Sequence, residues 1–304
     1  MSINHSVEPQ LASLVKSERH MRSEYGTKMV GVMDTVAPHP HFVMPLQPGK
    51  VAILSGWDTI DEMYKGSVSN AEPKASRVLS QLATDWFVFI ENVPTRFWVA
   101  ANKPITAQTV TMFVTDDESG ITGEYAWERH YITPQPASDS AGALPLPDRQ
   151  LANLENHEAL LEALCAGDIA KVMGLITPEC VWAQRDYLAD TEGGEVTELR
   201  GAEAAAGYLT RWHAEMRPQH VSVVNRRVTD WFVFSEEVWI VQPGGGAARQ
   251  CRTATIYPLA EDGRFEGVLG FGKDIEDPAP SAGQRLGRAF WSEPGVAIAD
   301  VARS

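Results

Sequence analysis

Apolar positions along the chain follow two rhythms that alternate twice. Leu11, Leu14 and Val15, leading into Glu18–Tyr25, recur at helical spacing, and so do Leu151, Leu154, Leu161 and Leu164. Each set predicts a long first helix. A short second helix is predicted to start near Asp168, whose carboxylate suits an N-cap, and to stop at Pro178. A third helix is predicted at Thr59–Tyr64 and at Ala202–Trp212. Strand patterns follow: RVLSQL, TDWFVFIENV, TVTMFVT and ITGEYAWERHYI, and later HVSVVNRRV, WFVFSEEVWIV, RTATIYPL and RFEGVLGF. Helices first and an antiparallel meander after predict an α+β layer fold in each half.

The order repeats because the sequence repeats. TDWFVF occurs at Thr84–Phe89 and again at Thr229–Phe234. At the same spacing, GWDTIDEMY (Gly56–Tyr64) lies opposite GAEAAAGYL (Gly201–Leu209). Lys28–Pro38 lies opposite Asp168–Pro178, and the turn Glu118-Ser119-Gly120 opposite Glu261-Asp262-Gly263. Four matching segments in one order read as a tandem duplication. Thr133–Arg149, rich in Pro, Ala and Ser, reads as a linker, and DPAPSAGQ ends the second pattern. The expected organisation is a first domain at 1–132, a linker at 133–149, a second domain at 150–277 and a tail at 278–304. The identical strands predict that both sheets present the same aromatic face and that the halves pair as an intramolecular pseudo-dimer.

Composition narrows the function classes. The chain has 304 residues, 44% of them apolar and 22% charged, enough for two buried cores. Asp and Glu number 40 against 26 Lys and Arg, a net charge of −14. Such an acidic surface repels phosphate backbones and anionic lipid, so neither nucleic acid nor membrane is an expected partner. Cys165, Cys180 and Cys251 form no CxxC, which speaks against a disulfide scaffold or a zinc knuckle. The opening MSINHSVEPQ lacks the apolar stretch of a signal peptide, and a cytoplasmic location is expected.

The helix order, with AGD (Ala166–Asp168) closing the first helix, a proline-ended second helix and a glycine-containing last strand, resembles the nuclear transport factor 2 superfamily. More narrowly it is similar to the SnoaL-like and ketosteroid-isomerase-like branch. The resemblance implies two tandem cone-shaped, cystatin-like domains, each a curved sheet wrapping helices around a mostly apolar pocket. It covers about Leu11–Ile132 and Leu151–Glu276. Members include isomerases, dehydratases, lyases, epoxide hydrolases and non-catalytic binders, so the pocket residues must decide between them.

Carried over residue by residue, the resemblance excludes a ketosteroid isomerase. Alignment on AGD puts the family tyrosine at His20 and Leu160, its base near Met44 and Gln184, and its second aspartate near Met112 and Thr255. The Asp and His of family dehydratases fall at Asp168 and His220 in the second half, and at Lys28 and Ala75 in the first. Asp168 reads first as a helix cap. His220 is a candidate pocket residue.

Period-two alternation in the last strand of the first half groups Tyr125, Trp127, Arg129 and Tyr131. The family alignment turns that set inward, opposite Val268, Gly270, Gly272 and Asp274. An arginine among aromatics suits an oxyanion clamp or a ring-stacked guanidinium. Glu91 and Glu236 occupy equivalent strand positions, either as ion-paired carboxylates or as proton carriers. His39 and His41 lack a third ligand of recognisable spacing, so no metal is expected.

These residues point to a lyase or isomerase that needs no cofactor and acts on a hydrophobic aromatic or polycyclic small molecule. Candidate chemistries are dehydration and C–C-cleaving deformylation. The first domain is expected to be active, with His20 as acid/base, Arg129 as charge clamp, and Tyr131 or Glu91 as proton partner. Trp98, Tyr125, Trp127 and His220 are the expected substrate contacts. A non-catalytic binding or scaffolding module is the competing expectation, above all for the second half. Homo-oligomerisation is left open.

Overall fold

The computed structural model describes residues 7–24, 31–47, 50–99, 102–115, 120–131, 147–185 and 196–275. The tail and residues 133–146 of the expected linker lie outside the described residues, while its last three residues belong to the helix that begins at Pro147. The chain divides into two units, each built on one six-stranded sheet.

In the first unit, helix α1 (Val7–Glu24) is followed by strands β1 (Val36–Gln47) and β2 (Lys50–Ser55) and helix α2 (Trp57–Asn70). Strands β3 (Ala71–Ala83), β4 (Phe87–Trp98), β5 (Lys103–Thr115) and β6 (Ile121–Tyr131) complete it. The second unit repeats the scheme with α3 (Pro147–Ala166), α4 (Ile169–Leu175), β7 (Ile176–Arg185), β8 (Val196–Arg200) and α5 (Ala202–Met216). It ends with β9 (Pro218–Val228), β10 (Phe232–Val241), β11 (Arg249–Pro258) and β12 (Phe265–Ile275). The strand orders are β2-β1-β6-β5-β4-β3 and β8-β7-β12-β11-β10-β9. All neighbours are antiparallel except β1 with β6 and β7 with β12.

The repeated sequence makes repeated local structure. The Thr84 hydroxyl accepts from the backbone N–H of Trp86 and Phe87 and donates to the Phe87 carbonyl, and Thr229 does the same for Trp231 and Phe232. This side-chain turn starts β4 and β10 at the same place. Gly56 and Gly201, the matching glycines before α2 and α5, have φ of +88° and +90°. Only glycine adopts that conformation without strain, so both chains turn into the helix at the same angle.

Two expectations about the helices change. Leu11 and Val15 are exposed, and the face of α1 turned inward carries Ser13, Ser17 and His20, flanked by Leu14 and Met21. The stripe is polar, so hydrophobic spacing alone could not orient the helix. In the first unit, Met33–Thr35 forms only a 3-10 turn where the second unit has α4. The strand pairs β1–β2 and β7–β8, absent from the expected meander, add the parallel edge of each sheet.

In the first core, α1 and α2 meet the sheet around Val32, Phe42, Ile60, Val88, Ile90, Phe113 and Ile121. In the second, Leu160, Leu161 and Leu164 of α3 meet Val172, Trp182, Leu209, Val233, Tyr257 and Phe265. Val88 and Ile90 pack with the helices, so alternation puts Phe87, Phe89 and Glu91 on the opposite sheet face.

Candidate active site

The site of the first unit grows from the inward face of α1. His20 and Glu24 are one turn apart, and both reach the hydroxyl of Tyr64 on α2. His20 Nε2 is 3.1 Å from that hydroxyl, Glu24 Oε1 is 2.8 Å and Glu124 Oε2, from β6, is 3.2 Å. His20 Nε2 also lies 3.4 Å from Glu124. Behind it, the Thr35 hydroxyl donates to the Val32 carbonyl and therefore accepts from His20 Nδ1 at 2.6 Å. That bond places the imidazole proton on Nδ1 and leaves the Nε2 lone pair facing Tyr64.

The electrostatics follow from burial. Desolvation holds the His20 imidazolium below its usual range, so the ring is neutral near pH 7. Desolvation and then the Glu124 charge push Glu24 up to about 7. Desolvation likewise pushes Glu124 up to about 7, against hydrogen bonding from Tyr64 and the field of Arg96. The Tyr64 phenol is pushed well above 10 by burial and by both carboxylates, so it keeps its proton. Two carboxyls with affinities this close share protons as a pair.

Met21, Glu24, Met44, Ile90, Asn92, Arg96, Thr109, Thr111, Phe113 and Glu124 line a cavity of about 40 Å³. Arg96 Nη1 pairs with Glu128 Oε2 at 2.9 Å. His20, Glu24 and Glu124 offer three donor atoms within 4.8 Å of one another, the residues that could hold a divalent ion. The Tyr64 hydroxyl stands among them within 3.2 Å of all three donor atoms, with a single proton to share.

The face of β6 is a correction. Glu124, Ala126 and Glu128 face the cavity side, and Tyr125, Trp127 and Arg129 face the other. The second unit has one residue more between its turn glycine and the strand: Ile121 stands opposite Val36, and Phe265 opposite Ile176. An alignment anchored on the two turns therefore slips by one position, which exchanges the faces. Arg129 Nη2 donates to Gln108 Oε1, and Gln108 Nε2 to Glu91 Oε1, so Arg129 and Glu91 are joined, away from His20. Tyr125 bonds His41 through its hydroxyl. Trp127 is buried on that same face, and Trp98 is half exposed at the end of β4. His220 is exposed at the start of β9. The Tyr131 side chain lies outside the described residues. Asp168 caps α4 by accepting from the Lys171 N–H.

Of the expected catalytic residues whose side chains are described, only His20 stands at this cluster. Glu24 was legible, because it shares the α1 face with Ser13, Ser17 and His20 at helical spacing. Glu124 needed the correct strand register, and Tyr64 the packing of α2 against α1.

The second unit buries a different cluster. Ser235 Oγ lies 3.0 Å from His157 Nε2, and Glu237 accepts from Ser235, Thr253 and Tyr257. Burial pushes Glu237 up to about 7 and holds His157 well below its usual range. Thr253 and Tyr257 also line a cavity of about 20 Å³ walled by Trp182, Trp212, Trp239 and Tyr208. His157 stands on α3 one turn before Leu160, the position aligned with His20. On the opposite sheet face Glu236 pairs with Arg252 at 2.6 Å and accepts from Asn225.

Residues 157–267, the span from His157 to the middle of β12, match the model of the SnoaL-like domain. Over those residues the second unit is similar to the SnoaL-like domain. The first unit shares its strand order. Among solved structures, a protein of Burkholderia xenovorans like nuclear transport factor 2 is 17% identical, with 48% of this chain and 96% of that one covered, at a TM-score of 0.33. A Mycobacterium tuberculosis protein in complex with estradiol-17β-hemisuccinate is 16% identical over 39% and 92%, at 0.34. An LEH-like epoxide hydrolase of M. tuberculosis is 17% identical over 40% and 78%, at 0.33. No curated protein matches the sequence. Beside the unit that matches the SnoaL-like model, the chain thus carries a first unit of the same topology whose cavity is charged. Among the described residues, no helix is long and apolar enough to cross a membrane.

Proposed function

We propose that the first unit is a cofactor-independent acid–base catalyst, a lyase or isomerase acting on a hydrophobic aromatic or polycyclic small molecule. One observation carries this reading: Glu24 and Glu124, both held near pKa 7, share the Tyr64 hydroxyl beside the cavity. A group titrating near the working pH can accept a proton in one step and return it in the next, typically worth about 10²–10⁴-fold. Glu124 is the base in this scheme. As carboxylate it removes a proton from a substrate C–H or O–H. Glu24, as carboxylic acid, returns one to the leaving or rearranged atom. Tyr64 keeps its proton and links the two carboxyls, while neutral His20 fixes the phenol. Arg96 offsets the negative charge that develops. Dehydration and deformylation both fit two carboxyls poised this way.

The second unit supports a different role. Its described cavity is walled by Trp182, Trp212, Trp239 and Tyr208, and no charged side chain lines it. That lining favours binding or scaffolding over turnover.

The test is a screen of aryl ketones and hydroxylated diaryl compounds in D₂O, followed by NMR for proton exchange and product. Exchange in the wild type that falls about 10²–10⁴-fold in Glu124→Gln is expected. Undiminished turnover in Glu124→Gln would sink the reading, and binding without exchange across the panel would select the binding module.

A further inference from the structure

Asn92 and Thr109 stand directly opposite each other on β4 and β5, on the face that lines the first unit's cavity. Directly opposed side chains on one face are near neighbours, with Cβ atoms roughly 5 Å apart. Asn92 is 5% exposed and Thr109 is 3% exposed. Asn92 Nδ2 donates to Ser76 Oγ at 2.8 Å, which turns Oδ1 the other way. Neither Asn92 Oδ1 nor Thr109 Oγ1 has a hydrogen-bond partner among the described residues. A buried polar atom left without a partner is costly, so two side by side at one cavity point to something that binds there.

The second unit is an internal control. Glu237 and Thr253 hold the equivalent opposed positions on β10 and β11, and they bond each other. The pair is satisfied there and open in the first unit.

We infer that Asn92 and Thr109 form a hydroxyl-binding subsite in the cavity that Glu124 also lines. One orphan is an acceptor and the other is a hydroxyl able to donate, so the complementary group both donates and accepts through one oxygen. An alcohol, a phenol or a water does this; an ether, a ketone or a carboxylate does not. The cavity's volume of about 40 Å³ is enough for one such group. Met21, Met44, Ile90 and Phe113 supply its apolar lining. The oxygen comes either from the ligand, making the substrate a hydroxylated aromatic compound, or from a water held by the pair. The inference rests on the first unit's cavity being the ligand site proposed above, but not on catalysis there.

Titration of the full chain with benzyl alcohol and with toluene, followed by NMR, reads the subsite without any turnover. If the ligand supplies the oxygen, the wild type prefers the alcohol about tenfold. Thr109→Val and Asn92→Leu then bring the two probes within about twofold of each other, with toluene affinity retained. If a water supplies it, the wild type shows no preference, and crystals of the toluene complex show an ordered water on Asn92 Oδ1 and Thr109 Oγ1 that Thr109→Val removes. A preference that survives both substitutions overturns the subsite. So does a lack of preference with no oxygen on those two atoms. A protein that discriminates the probes but exchanges no proton would keep the subsite and sink the acid–base reading.

Discussion

The Tyr64 hydroxyl stands 3.1 Å from His20 Nε2 and 2.8 Å from Glu24 Oε1, and these contacts tie α2 to α1 beneath the cavity. The imidazole is held from behind by Thr35, so the phenol keeps its place between Glu24 and Glu124. Its hydrogen bonds pull both carboxyls down against the upward push of burial. In Tyr64→Phe those bonds are gone, and carboxyl-carbon NMR is expected to show the pair titrating above about 7. An unchanged or lower midpoint would mean that the phenol does not set their affinity.

Glu237 predicts a pH dependence of stability in the second unit. Its carboxyl holds its proton to about 7 in the folded chain, against 4.5 when exposed. The contribution is full below pH 4.5 and is lost as pH rises through 7, an amount on the order of 3 kcal/mol. His157 acts in the opposite sense, losing its contribution as pH falls below 6.5. Comparing the wild type with Glu237→Gln separates the two. In the variant the denaturant midpoint at pH 8 should rise relative to that at pH 5, compared with the wild type.

Arg129 bears on the fold and not on the chemistry. It reaches Gln108, and through it Glu91, on the sheet face away from His20. Arg129→Met is expected to lower stability by roughly 1–3 kcal/mol, because it strips the donor from a part-buried amide oxygen. With any substrate found in the screen, kcat/KM should stay within about twofold. A loss like that of Glu124→Gln would return Arg129 to the site.

Gly120 controls the site at one remove. With φ of +121° it abuts the Thr35 carbonyl, and a Cβ there would lie 2.3 Å from that oxygen. Gly120→Ala must displace the turn whose hydroxyl holds His20. We expect a loss of roughly 2 kcal/mol or more in urea denaturation, together with moved His20 ring signals. Unchanged ring signals would show that the turn can yield without disturbing the imidazole.

The identical TDWFVF strands carry their own test. If the halves pair like with like, residues 1–140 and 150–304 expressed separately should each melt well below the whole chain. Two soluble, monomeric fragments as heat-stable as the parent would remove that proposal.

The sequence by itself determined the two α+β halves, the third helices, the meander strands and the Asp168 cap. These depend on short-range patterns: apolar spacing, a threonine that starts a strand, a glycine at positive φ. His20 and Glu24 share a helix face by spacing alone, but nothing along the chain singled out Glu24. Tertiary structure alone decided what meets them. One extra residue between Gly263 and β12 shifts the alignment, and in a strand a single step exchanges the two faces. Tyr125, Trp127 and Arg129 therefore turn away, and Glu124 turns in. The inward face of α1 is polar, so no hydrophobic stripe announced it. Asn92 and Thr109 look ordinary along the chain. Only strand pairing sets them side by side, buried, with neither bonded to the other.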